Sequence, residues 1–169
     1  MADYGFRGGE KLVNKLTEIE KTTDGRPELR VGFIDARTEA NGRPVAAVAA
    51  WNEFGTQHIP PRPFFRNMIA ARGPNWGHDM ARIIGAVGYH PMRVLMLMGE
   101  RIEGQLKQSI FDTNSPPLAP STIARKSLGG VSNLAGVLGP AKPLIHTGTM
   151  FNSINYEVSA NGQTEKGSP

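Results

Sequence analysis

The amino-acid sequence predicts an α+β fold, in which a small β-sheet packs with several helices, including one long amphipathic helix, and extended loops connect them. Apolar residues recur at helical spacing over much of the chain, whereas two short segments alternate with the period of a strand. Clusters of the 20 glycines and 13 prolines separate these segments. The length of 169 residues fits one domain. We therefore expect a single α+β domain over residues 1–159, with an extended loop segment at 112–147 and a flexible C-terminal tail at 160–169.

The composition excludes several classes of protein. The chain has no cysteine, which excludes disulfides and thiolate zinc sites. It has neither a signal-peptide pattern at its N-terminus nor a run of about 20 apolar residues, so we expect a protein made in the cytoplasm, with no membrane partner. The net charge of +4 and the pI of about 9.6 permit contact with a polyanion without requiring it.

The first two predicted elements are a helix and a strand. Residues 10–21 form an amphipathic pattern whose apolar face is Leu12, Val13, Leu16 and Ile19. Residues 28–35 alternate, with Leu29, Val31 and Phe33 on one side, which is typical of a strand.

Residues 45–55 are ambiguous between a helix and a buried strand. Their alanine content and the spacing of Val48, Trp51 and Phe54 favour the helix, and Gly55 suits a position just past its end. Pro63 suits the first turn of the next helix, which we expect to stop at residues 73–74. Asn75 would then cap a further helix, with its apolar stripe on Trp76, Met80, Ile83, Ile84 and Val87.

The long predicted helix begins at Pro91. Its apolar face consists of Val94, Leu95, Met98, Ile102, Leu106 and Ile110. Gly99 and Gly104 weaken this helix by roughly 1 kcal/mol each relative to alanine, which indicates close packing at these positions.

From Asp112 the composition changes to that of loops, with at most a short helix that begins at Pro120 or Ser121. A helical turn with Met150 and Phe151 and a strand with Ile154, Tyr156 and Val158 follow. The last ten residues are polar and are expected to fray.

The sequence has no motif typical of a catalytic or metal-binding site. His58, His78, His90 and His146 lack an i, i+4 partner and an HExxH motif. Ser127 and Ser153 lack the context of a nucleophile elbow. The pattern around Glu53 favours a capping or interface salt-bridge role over that of a catalytic acid. We therefore expect a protein that is not an enzyme and that needs no cofactor or metal.

Two stretches of the chain resemble proteins of tailed bacteriophages. Residues 45–69, VAAVAAWNEFGTQHIPPRPFFRNMI, are similar to a segment of tail-component and head–tail joining proteins, in which an aromatic-rich helix ends in Glu-Phe-Gly-Thr before Pro-x-Arg-Pro-Phe-Phe/Leu-Arg. PPLAPSTIARKS and then KPLIHTGTMFNSINYEV resemble the C-terminal pattern of Mu-like virion morphogenesis proteins. The two stretches span roughly residues 45–159, and an insert, LGGVSNLAGVLGPA, interrupts the second between Lys126 and Lys142.

This resemblance implies a structural subunit of the virion, assembled in the host bacterial cytoplasm. Such a subunit works in a homo-oligomeric ring, commonly sixfold, at the tail end or the neck, next to neck or tail-tube proteins. Pro60 to Phe65 would form a preordered contact surface, with Phe64 or Phe65 in the core. The candidate interface residues are Trp51, Glu53, Phe54, Arg62, Pro63, Phe64, Phe65, Leu118, Ile123, Leu144 and Ile145.

The resemblance also implies a ring lumen through which DNA passes. Arg125, Lys126 and Lys142 lie in a loop-rich, cation-bearing stretch and are candidates for transient, non-specific contact with packaged DNA; solvated loop charges are the alternative. Residues 112–147 are predicted to be mobile in the monomer and to become ordered on assembly.

The residues are compatible with other functions as well. The protein could be a tail terminator, a neck adaptor or an assembly factor. A small basic nucleic-acid-binding module is the main alternative, and steep salt dependence of duplex DNA affinity would favour it. A histidine metal hydrolase is a further alternative, which stoichiometric zinc in the purified protein would favour.

Overall fold

The computed structural model describes residues 9–23, 26–39, 41–128, 140–145, 148–160 and 162–167. It has an α+β fold, as the sequence predicts, with long helices and a three-stranded antiparallel sheet. The elements in chain order are α1 (Gly9–Thr23), β1 (Glu28–Gly32), α2 (Val45–Phe54), α3 (Phe64–Val87), α4 (Pro91–Asp112), α5 (Pro120–Leu128), α6 (Thr149–Asn152), β2 (Asn155–Ala160) and β3 (Gln163–Lys166).

The sheet joins segments that are far apart in the sequence. Its order is β1-β2-β3, and β1 pairs with β2 so that Gly32 lies opposite Asn155. β2 in turn pairs with β3, with Glu157 opposite Lys166. Residues 160–169 were expected to form a flexible tail, whereas residues 163–166 of that segment form β3. Hydrogen bonding to a central strand explains this, because polar side chains are compatible with an exposed edge strand.

The helices predicted at residues 45–54, from Pro91, and at Pro120 are confirmed as α2, α4 and α5, and the short turn around Met150 is α6. In contrast, the prediction that a helix stops at residues 73–74 is wrong. α3 runs without a break from Phe64 to Val87 with Pro74 inside it. An interior proline costs about 3 kcal/mol. Contacts of α3 with α4 offset this cost, and they include Ser109 at the Phe64 carbonyl before Pro74 and Arg101 at Asp79 after it.

The hydrophobic core lies between α2, α3, α4 and the segment that leads into β2. Phe64, Leu106 and Ile110 are at most 1% exposed in this core. Leu144 and Ile145 belong to it as well, although they fall in the segment predicted as an extended loop. Residues 129–139 and 146–147 of that segment lie outside the described residues, so the predicted ordering on assembly stays a prediction.

Close packing explains one of the two glycines of α4. A Cβ added to Gly99 would lie 2.5 Å from Cδ2 of Tyr156 and 2.9 Å from Cδ1 of Leu29. Gly99 therefore lets α4 approach the sheet. A Cβ at Gly104 would meet nothing within 4 Å, so the prediction of close packing is wrong there.

Candidate functional site

The proline-rich segment between α2 and α3 is a closed loop. Gly55 has φ of 78°, and a Cβ at this position would lie 2.9 Å from the carbonyl oxygen of Ile59. The Thr56 N–H donates to that same oxygen at 2.8 Å, and the Arg62 N–H donates to the Asn52 carbonyl at 2.7 Å. Backbone hydrogen bonds thus close the loop before Pro63, which gives the preordered geometry that the prolines predicted.

Glu53 fixes the start of α3 from the end of α2. Its carboxylate is buried and accepts hydrogen bonds from the Phe65 N–H at 2.8 Å, from the Arg66 N–H at 3.1 Å and from the Arg66 Nε at 2.9 Å. The first N–H groups of a helix lack intrahelical acceptors and carry partial positive charge, so a carboxylate stabilises them. The predicted capping role of Glu53 is confirmed, and its carboxylate lies inside the subunit.

Arg62 links the two stretches that carry the phage resemblance. Its side chain is buried, and it donates from Nε to the Pro116 carbonyl at 2.9 Å and from Nη2 to the Pro117 carbonyl at 3.3 Å. Burial lowers the pKa of Arg62. A guanidinium held by two carbonyls positions the segment before α5 against the proline-rich loop.

Two of the predicted lumen residues bind backbone carbonyls of their own chain. Lys126 is buried and donates to the carbonyls of Lys142 at 2.6 Å and Ile145 at 2.7 Å. Burial, and to a lesser degree the charge of Arg62, lowers its pKa. Lys142 donates to the Phe111 carbonyl and to Oδ1 of Asn114 at 2.9 Å each. The lumen prediction is therefore wrong for Lys126 and unsupported for Lys142, because their ammonium groups bind within the subunit; Arg125 is exposed.

The structure separates the two phenylalanines of the segment. Phe64 is a core residue: its ring packs edge-on against Phe33 with centroids 6.4 Å apart, and its carbonyl accepts a hydrogen bond from Ser109 Oγ. Phe65 is half-buried beside it. Phe64 is therefore the core residue that was expected in this pair, and its buried ring offers no exposed surface to a partner.

An aromatic edge, which we define as Trp51 and Phe54, stands on the outer face of α2. The two residues are 38% and 67% exposed. The guanidinium of Arg43 lies 5.8 Å from the Trp51 ring, and that of Arg66 lies 5.0 Å from the Phe54 ring. Phe54 also borders an apolar groove of about 220 Å³, whose walls include Phe33, Ala46, Ala50 and Phe65.

The predicted interface residues thus fall into three groups. Trp51 and Phe54 are exposed. Glu53, Arg62, Phe64, Leu144 and Ile145 are buried, and Pro63, Phe65, Leu118 and Ile123 are half-buried. These exposures are those of a single subunit. Of the predicted interface residues, only Trp51 and Phe54 therefore present large apolar side chains that the described subunit leaves uncovered.

A second apolar surface lies on α1, which the sequence predicts as an amphipathic helix. We define the α1 face as Leu12, Val13 and Leu16, which are 53%, 60% and 55% exposed. Only Ile19 of the predicted stripe is half-buried, where it borders a groove next to Pro27. The spacing of these residues predicts the helix and its apolar face, but it does not indicate which surface covers that face.

Among the described residues, no group of three histidine, aspartate or glutamate side chains is arranged to hold a metal ion. His58, His78 and His90 are exposed, and His146 lies outside the described residues. None of the described helices combines the length and the apolar character that crossing a membrane would require. Comparison with protein-family models, with curated proteins and with solved structures found no significant match to this chain.

Proposed function

We propose that this chain is a structural virion protein of a tailed bacteriophage. In this proposal it forms a homo-oligomeric ring, expected to be a hexamer, at the tail end or the neck. The ring completes the tail and joins it to the head, in contact with neck or tail-tube proteins, and it catalyses no reaction. The resemblance of residues 45–69 and of the segments that begin at Pro116 and Lys142 to phage proteins is the starting point.

The observation that carries the proposal is the aromatic edge on its rigid support. Trp51 and Phe54 project from a helix whose end is joined to α3 through Glu53 and through the closed loop. Exposed aromatic residues are typical anchors of protein interfaces. Because the supporting backbone is already ordered, little conformational entropy remains to be lost when a partner docks.

The α1 face supports the same proposal from another side. A cyclic ring uses a heterologous contact, in which each subunit offers two different surfaces, one to each neighbour. The described residues include two different apolar surfaces that could serve this way, the aromatic edge on α2 and the α1 face. Both consist of large apolar side chains whose exposure in a lone subunit is unfavourable.

Substitution of the aromatic edge tests the proposal. We expect the Trp51→Ala, Phe54→Ala double variant to keep the circular dichroism of the folded monomer while it loses ring formation, measured by sedimentation and native mass spectrometry. Ile69→Ala is the control, because Ile69 is a large apolar residue, 42% exposed, that lies on α3 rather than on α2 or α1. Rings that persist in the double variant would contradict the assigned interface.

The location in the particle needs a separate measurement. We expect mass spectrometry of purified infectious virions to find this protein at a stoichiometry that matches a single ring. Infectious particles that lack the protein would refute a structural role in the virion, whatever its behaviour in solution.

A further inference from the structure

A groove of about 340 Å³ lies between α3 and α4, and arginines line it. Arg72 and Arg82 come from α3, and Arg101 comes from α4. Neither Arg72 nor Arg82 has an ion-pair partner among the residues that the structure describes. The groove is distinct from the aromatic edge and from the α1 face, which lie on α2 and α1.

The carboxylate in the groove is already neutralised. Asp79 is buried, and its two oxygens accept hydrogen bonds from Nε and Nη2 of Arg101 at 2.7 and 2.9 Å. This bidentate pair fixes the plane of the Arg101 guanidinium, whose side chain is 47% exposed. The positive charges of Arg72 and Arg82 therefore have no counter-charge within the groove.

The uncharged residues of the groove add hydrogen-bond donors. The Trp76 Nε1–H donates to Oε1 of Gln105 at 2.9 Å, which leaves the NH₂ group of that amide for a ligand. Asn75 is exposed at the same groove and offers another amide. Guanidinium and NH₂ groups that face one groove suit a ligand whose oxygens only accept hydrogen bonds, such as a phosphate diester.

The length of the groove favours a polyanion over a small anion. Arg72 and Arg82 are ten residues apart on α3, which corresponds to about 15 Å along a helix axis. That distance is the rise of roughly four nucleotides of one strand in duplex DNA. Successive phosphates along a backbone match this spacing, so each arginine can pair with a different phosphate.

We propose that the α3–α4 groove binds the phosphate backbone of double-stranded DNA without sequence specificity. No Phe, Tyr or Trp is among its lining residues, all of which fall within the described range 41–128. The groove therefore lacks the large stacking platforms on which single-stranded nucleic acids are held. Contacts restricted to phosphates set position and affinity but carry no base readout. The proposal does not depend on ring formation, because one subunit holds the whole groove.

The test compares two double variants of the full chain that lose equal charge. Arg72→Gln, Arg82→Gln removes the unpaired groove cations, whereas Arg26→Gln, Arg93→Gln removes two exposed arginines outside it. Affinity for a short labelled duplex of random sequence is measured by fluorescence anisotropy over a series of salt concentrations. Each lost phosphate contact lowers the slope of log affinity against log salt by about 0.9, so we expect the groove variant to lose about 1.8 and the control to stay near wild type.

A charge-preserving variant distinguishes loss of charge from loss of the fold. Arg72→Lys, Arg82→Lys should keep most of the salt slope, with circular dichroism unchanged in all variants. Three outcomes would overturn the proposal: no duplex binding by the wild type at low salt, an equal loss in the control variant, or tighter binding of an acidic peptide than of duplex DNA, which would assign the groove to an acidic protein partner. None of these outcomes bears on the ring, which sedimentation and virion composition test independently.

Discussion

Helices α1 and α4 carry the same kind of amphipathic pattern, yet their apolar faces have different surroundings. In α4 the stripe is covered: Met98, Leu106 and Ile110 are at most 1% exposed against α3, the sheet and the core. In α1 the corresponding side chains, Leu12, Val13 and Leu16, are more than half exposed. Periodicity thus determines that a helix forms and which face is apolar, whereas the partner of that face depends on residues far away in sequence or on another molecule.

Truncation of one leucine from each helix gives the largest expected difference. Leu106→Ala should lower the free energy of unfolding by about 2–5 kcal/mol, because it removes a fully buried side chain and leaves a cavity. Leu16→Ala, at a position 55% exposed, should change it by no more than about 0.5 kcal/mol in the monomer. Urea denaturation of the two variants measures both values. Similar losses would show that the α1 face is covered within the subunit, and the contrast between the helices would fail.

The two glycines of α4 allow a covered and an uncovered position to be compared within one helix. Gly99→Ala should destabilise the fold by about 1–3 kcal/mol, because its methyl group would overlap the Tyr156 ring and a Leu29 methyl. Gly104→Ala should stabilise it by up to about 1 kcal/mol, because nothing lies within 4 Å and alanine is the better helix former. Thermal denaturation measures the change in melting temperature of each variant. The two changes have opposite signs if α4 is as close to the sheet as described, and the same sign if it is not.

The element that covers α4 depends on Glu53. Glu53→Gln keeps the shape of the side chain but removes the charge that the start of α3 and Arg66 share, so we expect a loss of about 0.5–2 kcal/mol. Glu10→Gln is the matched control, since Glu10 is an exposed acid in the first turn of α1. Equal stabilities of the two variants in guanidinium titrations would count against the capping role of Glu53.

The smallest effect concerns the buried cation of α5. The folded state lowers the pKa of Lys126 below its ordinary 10.5, so in the alkaline range just below 10.5 the unfolded state binds more protons than the folded state. The unfolding free energy of the wild type should therefore rise with pH relative to that of Lys126→Met. The exposed Lys11→Met serves as control. If the unfolding free energy of the wild type instead falls with rising pH relative to that of Lys126→Met, the pKa of Lys126 is not lowered in the folded state.

Much of the fold was predictable from local pattern. The spacing of apolar residues located α1, α2 and α4, and alternation located β1 and β2, because each signal repeats over several residues. The continuity of α3 through Pro74 was not predictable, since the contacts that offset the proline come from α4. β3 was missed for a similar reason, although the Asn161-Gly162 pair is a hairpin signal in the sequence.

The sequence predicted the position of the candidate site correctly, but it predicted the roles of some of its residues wrongly. The Glu-Phe-Gly-Thr and Pro-rich motifs located a rigid loop, and Glu53 has the capping role that its spacing favoured. In contrast, Lys126 was a lumen candidate because it lies in a loop-rich, cation-bearing stretch of a chain that resembles ring proteins. Its ammonium instead binds two carbonyls that are 16 and 19 residues further along the chain. The arginine groove was missed because Arg72, Arg82 and Arg101 are scattered in sequence and converge only when α3 and α4 pack.

The pairing of β1 with β2 has a consequence for the order of events during synthesis. Gly32 and Asn155 are about 120 residues apart, so a ribosome that adds about 5–20 residues each second leaves β1 without its partner for roughly 6–24 s. The helices α3 and α4 follow one another directly and pack together, so their hairpin is complete well before β2 emerges. The nascent chain therefore holds a finished helical hairpin beside an open strand, and β1 gains its partner only after β2 has emerged.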